Sequence, residues 1–146
     1  MKKLVAITAL LFASTTMACP QFNFNNLKCS FVIQDISYDY VVDRISNSAI
    51  GNEYLFSATF EGVTVDETIP SSITDDSGLT TITSCQGDNI IIEEIYNGIS
   101  ARQEMTVTGN GILSSGSQFT EVEDCDDSGV CNITFEKEDF SNNCTL

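Results

Sequence analysis

The chain has 146 residues, with 21 acidic and six basic residues, six Cys, no His and no Trp. A chain of this length is expected to form one domain. Two of its bases, Lys2 and Lys3, sit in a leader-like segment, so the rest carries 21 acids against four bases, a net of -17. Four scattered cations (Lys28, Arg44, Arg102, Lys137) do not make a phosphate-binding footprint, which excludes nucleic acid as a partner. The same balance argues against an anionic membrane surface. Without His there is no Ser/His/Asp or Cys/His nucleophile, and the commonest metal ligand is missing. No catalytic constellation stands out, and the chain reads as a non-enzymatic protein.

Residues 1–18 have the order of a signal peptide: Lys2 and Lys3, an apolar run from Leu4 to Ala13, then short residues to Ala18. That run is too short for a bilayer, which needs roughly 20 apolar residues, and no other segment approaches that length. The domain is expected over 19–146, in the periplasm or outside the cell. Ala18-Cys19 also resembles the end of a lipobox, so a lipid-anchored form in the outer envelope is the alternative. Thr16 and Met17 depart from that motif, and acylating Cys19 would leave five cysteines. A transmembrane barrel is not expected, because cysteines and acids interrupt the strands where an outward apolar band would lie.

Cysteines 19, 29, 85, 125, 131 and 144 in an exported chain imply up to three disulfides, with 15 formal pairings. One pair can be argued locally: Cys125 and Cys131 bracket the turn-forming Asp126-Asp127-Ser128-Gly129-Val130. Partners for Cys19, Cys29, Cys85 and Cys144 stay open. Zinc is disfavoured by the lack of CxxC and His.

Turn signals recur at Gly51-Asn52, Glu61-Gly62, Asp75 to Gly78, Gly87 to Asn89, Asn97-Gly98, Gly109 to Gly111 and Asp126 to Gly129. Between them lie runs rich in Val, Ile, Thr, Tyr and Phe, many alternating apolar with polar. Tyr54, Phe56, Ala58 and Phe60 share one face, as do Ile99, Ala101, Met105 and Val107. The pattern predicts about nine strands, near 27–34, 37–45, 53–61, 63–69, 79–86, 89–96, 99–108, 112–121 and 130–138, with a short turn around Pro70 to Ile73. Asn97-Gly98 is the strongest hairpin, because both residues tolerate the positive φ of a type I′ turn. The fold class is all-β: an antiparallel up-and-down meander forming a disulfide-stapled barrel, with a β-sandwich as the alternative.

Ala18-Cys19-Pro20, a Cys ten residues on, and Ser84-Cys85-Gln86-Gly87-Asp88-Asn89 followed by hairpins make the chain resemble small exported bacterial proteins with a lipocalin-like barrel. The lipocalin Gly-x-Trp signature is absent. The resemblance implies ligand or surface binding and identifies no pocket residue.

Tyr38, Tyr40, Tyr54, Phe56 and Phe60 are the candidates for lining an apolar cavity, set against a plain core role. Asp124, Asp126 and Ser128 have the alternating oxygens that open a calcium loop, but Phe135 stands at the closing position, and a solvated hairpin tip is the preferred reading. No cofactor is otherwise implied. The echo of Asp75-Asp76-Ser77-Gly78 in Asp126-Asp127-Ser128-Gly129 reads as one turn chemistry used twice. Glu93 and Glu94 are adjacent on a strand and face opposite ways, so they are no glycosidase pair. The expectation is a binding protein for a small apolar ligand or a protein partner. A structural or adhesive surface protein, or an acidic inhibitor meeting a basic partner, is the alternative.

Overall fold

Positive-φ positions divide the chain into strands. The computed structural model describes residues 18–146; the expected leader, up to residue 17, lies outside them. Glu61 and Gly62 have φ of 47° and 78°, and Asn97 and Gly98 have 50° and 77°, the both-positive pattern of type I′ turns, whose twist matches that of the flanking strands. Gln34 and Asp35, at 49° and 62°, make a third such turn with no Gly to announce it.

The strands are β1 (Phe22–Ile33), β2 (Ile36–Ile50), β3 (Glu53–Phe60), β4 (Val63–Ile69), β5 (Ser71–Thr74), β6 (Thr80–Gln86), β7 (Asn89–Tyr96), β8 (Ile99–Thr108), β9 (Gly111–Cys125) and β10 (Cys131–Thr145). Three differences from the expected layout have local causes. β5 replaces the expected turn after Pro70. β1 starts at Phe22 rather than near 27, because pairing with β2 outweighs the poor strand preference of Asn23, Asn25 and Asn26. β10 runs on to Thr145 past Glu136–Asp139, whose backbone is held by β9 on one side from Cys131 onward.

All strands pair antiparallel in the order β4-β3-β2-β1-β10-β9-β8-β7-β6-β5. The first strand thus lies against the last, with Cys29 opposite Cys144 and Phe31 opposite Asn142. The two sheet edges, β4 and β5, follow one another through Pro70 and share no ladder. The result is an up-and-down barrel, closed except at the β4/β5 seam; the sandwich alternative does not apply.

The register fixes which side chains share the inner face. Leu27, Cys29, Val42, Ile45, Ala58, Ile112 and Cys144 are all at or below 7% exposure and form one core cluster. The inner face changes parity at Asn26, whose φ of 54° an Asn accommodates at small cost, so Phe22 and Phe24 before it and Leu27 and Cys29 after it reach the same cluster. A second cluster joins Cys19, Ile69, Cys85 and Ile90, and Phe22, Phe56 and Met105 pack against both.

Three disulfides close the structure: Cys19–Cys85, Cys29–Cys144 and Cys125–Cys131, with Cα–Cα separations of 5.2, 4.0 and 3.9 Å. The local pairing expected for Cys125 and Cys131 is present. No described cysteine is free, which is the condition of an oxidising compartment. The sulfur of Cys19 is bonded to Cys85, so this disulfide and a lipid thioether on Cys19 exclude each other. No described helix is long and apolar enough to cross a membrane.

Candidate ligand-binding mouth

The two ends of the barrel differ. At the end carrying the β2–β3, β6–β7 and β8–β9 turns, the segment after Ala18 folds in as a plug. Cys19 is 7% exposed and bonded to Cys85, and the Asn47 side-chain amide donates to the Pro20 carbonyl at 2.8 Å. Ile69 and Ile90, each 1% exposed, complete the seal.

At the opposite end the inner face stays apolar but loses its cover. Tyr40 is paired with the buried Cys29, and Phe31 and Tyr38 are paired two residues further up, so all three lie on the inner face. Val65 pairs with the buried Ala58, and Val63 with Phe60, which places these on it too. Yet Tyr38 is 52% exposed, Phe60 39%, Val63 66% and Val65 62%. The Tyr40 and Phe60 rings lie 6.2 Å apart, and Phe31 and Phe140 5.6 Å. An apolar cup lined by β10, β1, β2, β3 and β4 therefore opens at this end. Beside Phe140, where β1 stops and β10 runs on, a cleft of about 660 Å³ adds Gln34, Asp35, Glu136, Lys137, Glu138 and Asp139 to its rim.

The five aromatic candidates separate along the barrel. Tyr38, Tyr40 and Phe60 belong to the mouth, whereas Tyr54 and Phe56 lie deeper and pack against the core clusters. Sequence reading missed Phe31, Val63, Val65 and Phe140; the alternation of Val63 and Val65 with Thr64 was the available signal. Burial raises the Tyr40 phenol above its ordinary value, opposed by the Asn142 amide, which donates to its oxygen at 2.5 Å.

The inner-face polar groups are mostly engaged. Glu94 accepts the Phe119 main-chain N–H at 2.7 Å, where β9 turns away from β8 beyond Gly116. Asp43 accepts the Gly62 N–H at 3.0 Å. Glu138 accepts from Gln34 and from the Thr120 hydroxyl. Glu67, paired with Phe56 directly below Val65, is half-buried and accepts the Ser71 hydroxyl at 2.5 Å. Glu93, on the outer face, meets Arg102 at 3.3 Å.

The calcium candidates Asp124, Asp126 and Ser128 lie at the β9–β10 tip, and there Asp126 serves its own turn. One carboxylate oxygen accepts the Ser128 N–H at 2.9 Å, the Val130 N–H at 3.0 Å and the Ser128 hydroxyl at 2.6 Å. Asp75 repeats the arrangement, accepting the Ser77 and Leu79 N–H groups at 2.9 and 3.0 Å and the Ser77 hydroxyl. In both turns the Ser hydroxyl, then the main-chain donors, hold the carboxyl below the ordinary Asp value. The sequence echo is thus one Asx loop built twice. Glu123, Cys125 and Cys131 also cluster at this tip, but the two sulfurs form a disulfide and offer no thiolate.

Compared with known proteins, the chain matches no family model, no curated protein and no solved structure. The likeness to lipocalin-like exported proteins extends to the nearly closed antiparallel barrel and no further.

Proposed function

We propose that this chain is an exported, non-enzymatic binding protein of the periplasm or extracellular space, taking a small apolar ligand at the open end of its barrel. One observation carries the reading: side chains on the face that elsewhere forms the core, Tyr38, Phe60, Val63 and Val65, are 39–66% exposed at one end only of a barrel whose other end is plugged. Covering such surface is favourable by roughly 25 cal/mol per Å² of apolar area, and a concave aromatic-lined site is the usual form of a small-molecule pocket.

Titration with Nile red, a neutral apolar fluorophore, tests it. Saturable enhancement is expected, weakened about tenfold or more in a Tyr38→Ser/Phe60→Ser double variant, since each residue loses roughly 1 kcal/mol or more of contact. Undiminished binding by that variant, with its far-UV circular dichroism unchanged, would place the dye elsewhere and overturn the reading.

A second reading, a basic protein partner, is favoured by the β9–β10 tip. Glu123, Asp124, Asp126 and Asp127 are exposed there on a hairpin clamped by Cys125–Cys131. Capture of such a partner should weaken steeply with salt, and salt-insensitive capture would reject it.

A further inference from the structure

We propose that the ligand of this mouth is a cationic amphiphile, with its apolar chain on Phe60, Val63 and Val65 and its positively charged head at Glu67. The proposal rests on the reading of the mouth as a binding site and adds the class of ligand.

Three of the four described cations lie on the outer face of the barrel. Lys28 lies between the buried Leu27 and Cys29 and so points outward. Arg44 points outward too, donating at 3.3 Å to Asn23, which alternates with the inward Phe22 and Phe24. Arg102, next to the buried Ala101, pairs with Glu93 on the outside. The remaining described cation, Lys137, donates to the Ser100 carbonyl at 2.8 Å and lines the rim cleft, where Asp35, Glu136, Glu138 and Asp139 outnumber it. The one cation at the mouth, Lys137, is confined to the cleft beside Phe140, and strands β2 to β4 offer none on the inner face, so desolvating a carboxylate or sulfate on Phe60, Val63 and Val65 would go uncompensated.

What the inner face offers instead is acceptors. In one row across β1 to β4 stand Phe22, Asn47, Phe56 and Glu67. Asn47 is 1% exposed and its side-chain carbonyl has no hydrogen-bond donor among the described residues. Of the inward carboxylates, Asp43 and Glu94 are engaged by main-chain N–H groups; at the rim, Glu138 is engaged by two side chains, while Asp35, Glu136 and Asp139 are exposed to water. Glu67 holds a single donor, the Ser71 hydroxyl on Oε1, which leaves acceptor capacity on its other oxygen. It sits on β4, an edge strand, so the seam gives a head group lateral access. Strands β3 to β7 add no Lys or Arg, and Asp66, Asp75 and Asp76 flank the seam, reinforcing the preference for positive charge.

Three decyl amphiphiles below their micellar concentrations separate the outcomes: decyltrimethylammonium, decyl maltoside and decanoate, each competed against Nile red on the full disulfide-bonded domain. The expected order is cationic, then neutral, then anionic. The cationic preference over maltoside should be about tenfold, as for a charged contact partly shielded from water. Glu67→Gln should abolish that preference and leave maltoside binding intact, while Asp88→Asn, the same change of net charge at the plugged end, should preserve it. A preference that survives Glu67→Gln, or falls equally with Asp88→Asn, would overturn the assignment. So would maltoside binding as tightly as the cation; the mouth itself would stand in all three cases. Binding of none of the three chains would overturn both the ligand class and the mouth.

Discussion

Cys29 and Cys144 face each other directly across β1 and β10, with Cα atoms 4.0 Å apart at a sequence separation of 115. Their bond fastens the first strand to the last, in the row that holds Tyr40 at the base of the mouth. Cys125–Cys131, in contrast, spans six residues at a hairpin tip. Loop-closure entropy makes removal of the long closure the costlier change, about 5 kcal/mol against about 2 kcal/mol. Urea unfolding of Cys29→Ala/Cys144→Ala and Cys125→Ala/Cys131→Ala variants should rank them in that order; equal midpoints would show that barrel closure does not depend on the covalent link.

Gly116 permits β9 to leave β8. Its φ is 134°, and a Cβ built there would overlap the Arg102 carbonyl oxygen. Gly116→Ala should therefore destabilise the domain by about 2 kcal/mol or more, whereas Gly98→Ala, where a Cβ meets nothing within 4 Å, carries backbone strain alone. Thermal unfolding of both variants measures the difference.

The two Asx loops respond to acid. Asp75 and Asp126 have carboxyls lowered in the folded state, so their contribution is fully present above the unfolded value of about 3.9 and is lost as pH falls through the lowered folded values. Carboxyl-detected NMR titration should find both titrating below ordinary Asp, and Ser77→Ala and Ser128→Ala should each bring its own Asp back toward that range without moving the other.

Alkali acts at the mouth. The Tyr40 phenol is raised, chiefly by burial, so the folded state holds its proton more tightly than the unfolded chain does. Stability is unaffected below the unfolded value of about 10 and falls as pH climbs from there through the raised folded value. Difference absorbance of tyrosinate should show a late-titrating component that Tyr40→Phe removes. Its persistence in that variant would locate it at another tyrosine.

These outcomes depend on features that were unequally readable from sequence. Turn residues such as Asn97-Gly98 state their geometry locally, and the strands around them followed. Cys125–Cys131 was readable for the same reason, because the partners stand at a sequence separation of only six. Cys29–Cys144 was not, since its proximity follows from the pairing of β1 with β10. The aromatic alternation pointed to Tyr38, Tyr40 and Phe60, but which end stays open depends on the Cys19–Cys85 plug. The parity change at Asn26 has no local signal either, and without it the inward sides of β1 and β2 above that row are assigned wrongly. At Asp126, the oxygens that suggest an ion loop are the same ones that close an Asx turn, and the echo at Asp75 was the clue to the second reading.

The pairing of β1 with β10 also sets the order in which the molecule can assemble. The hairpins β1–β4 and β5–β9 join neighbours in sequence and can form as the chain emerges, but their union waits for the fifteen residues of β10, Cys131–Thr145. Until then β1 and β9 each present a bare edge, and Cys29 and Cys125 lack their native partners. A barrel of such long-range contacts forms late and all at once, and the interval before it does is when the nascent chain is most open to mispaired cysteines and edge-to-edge association.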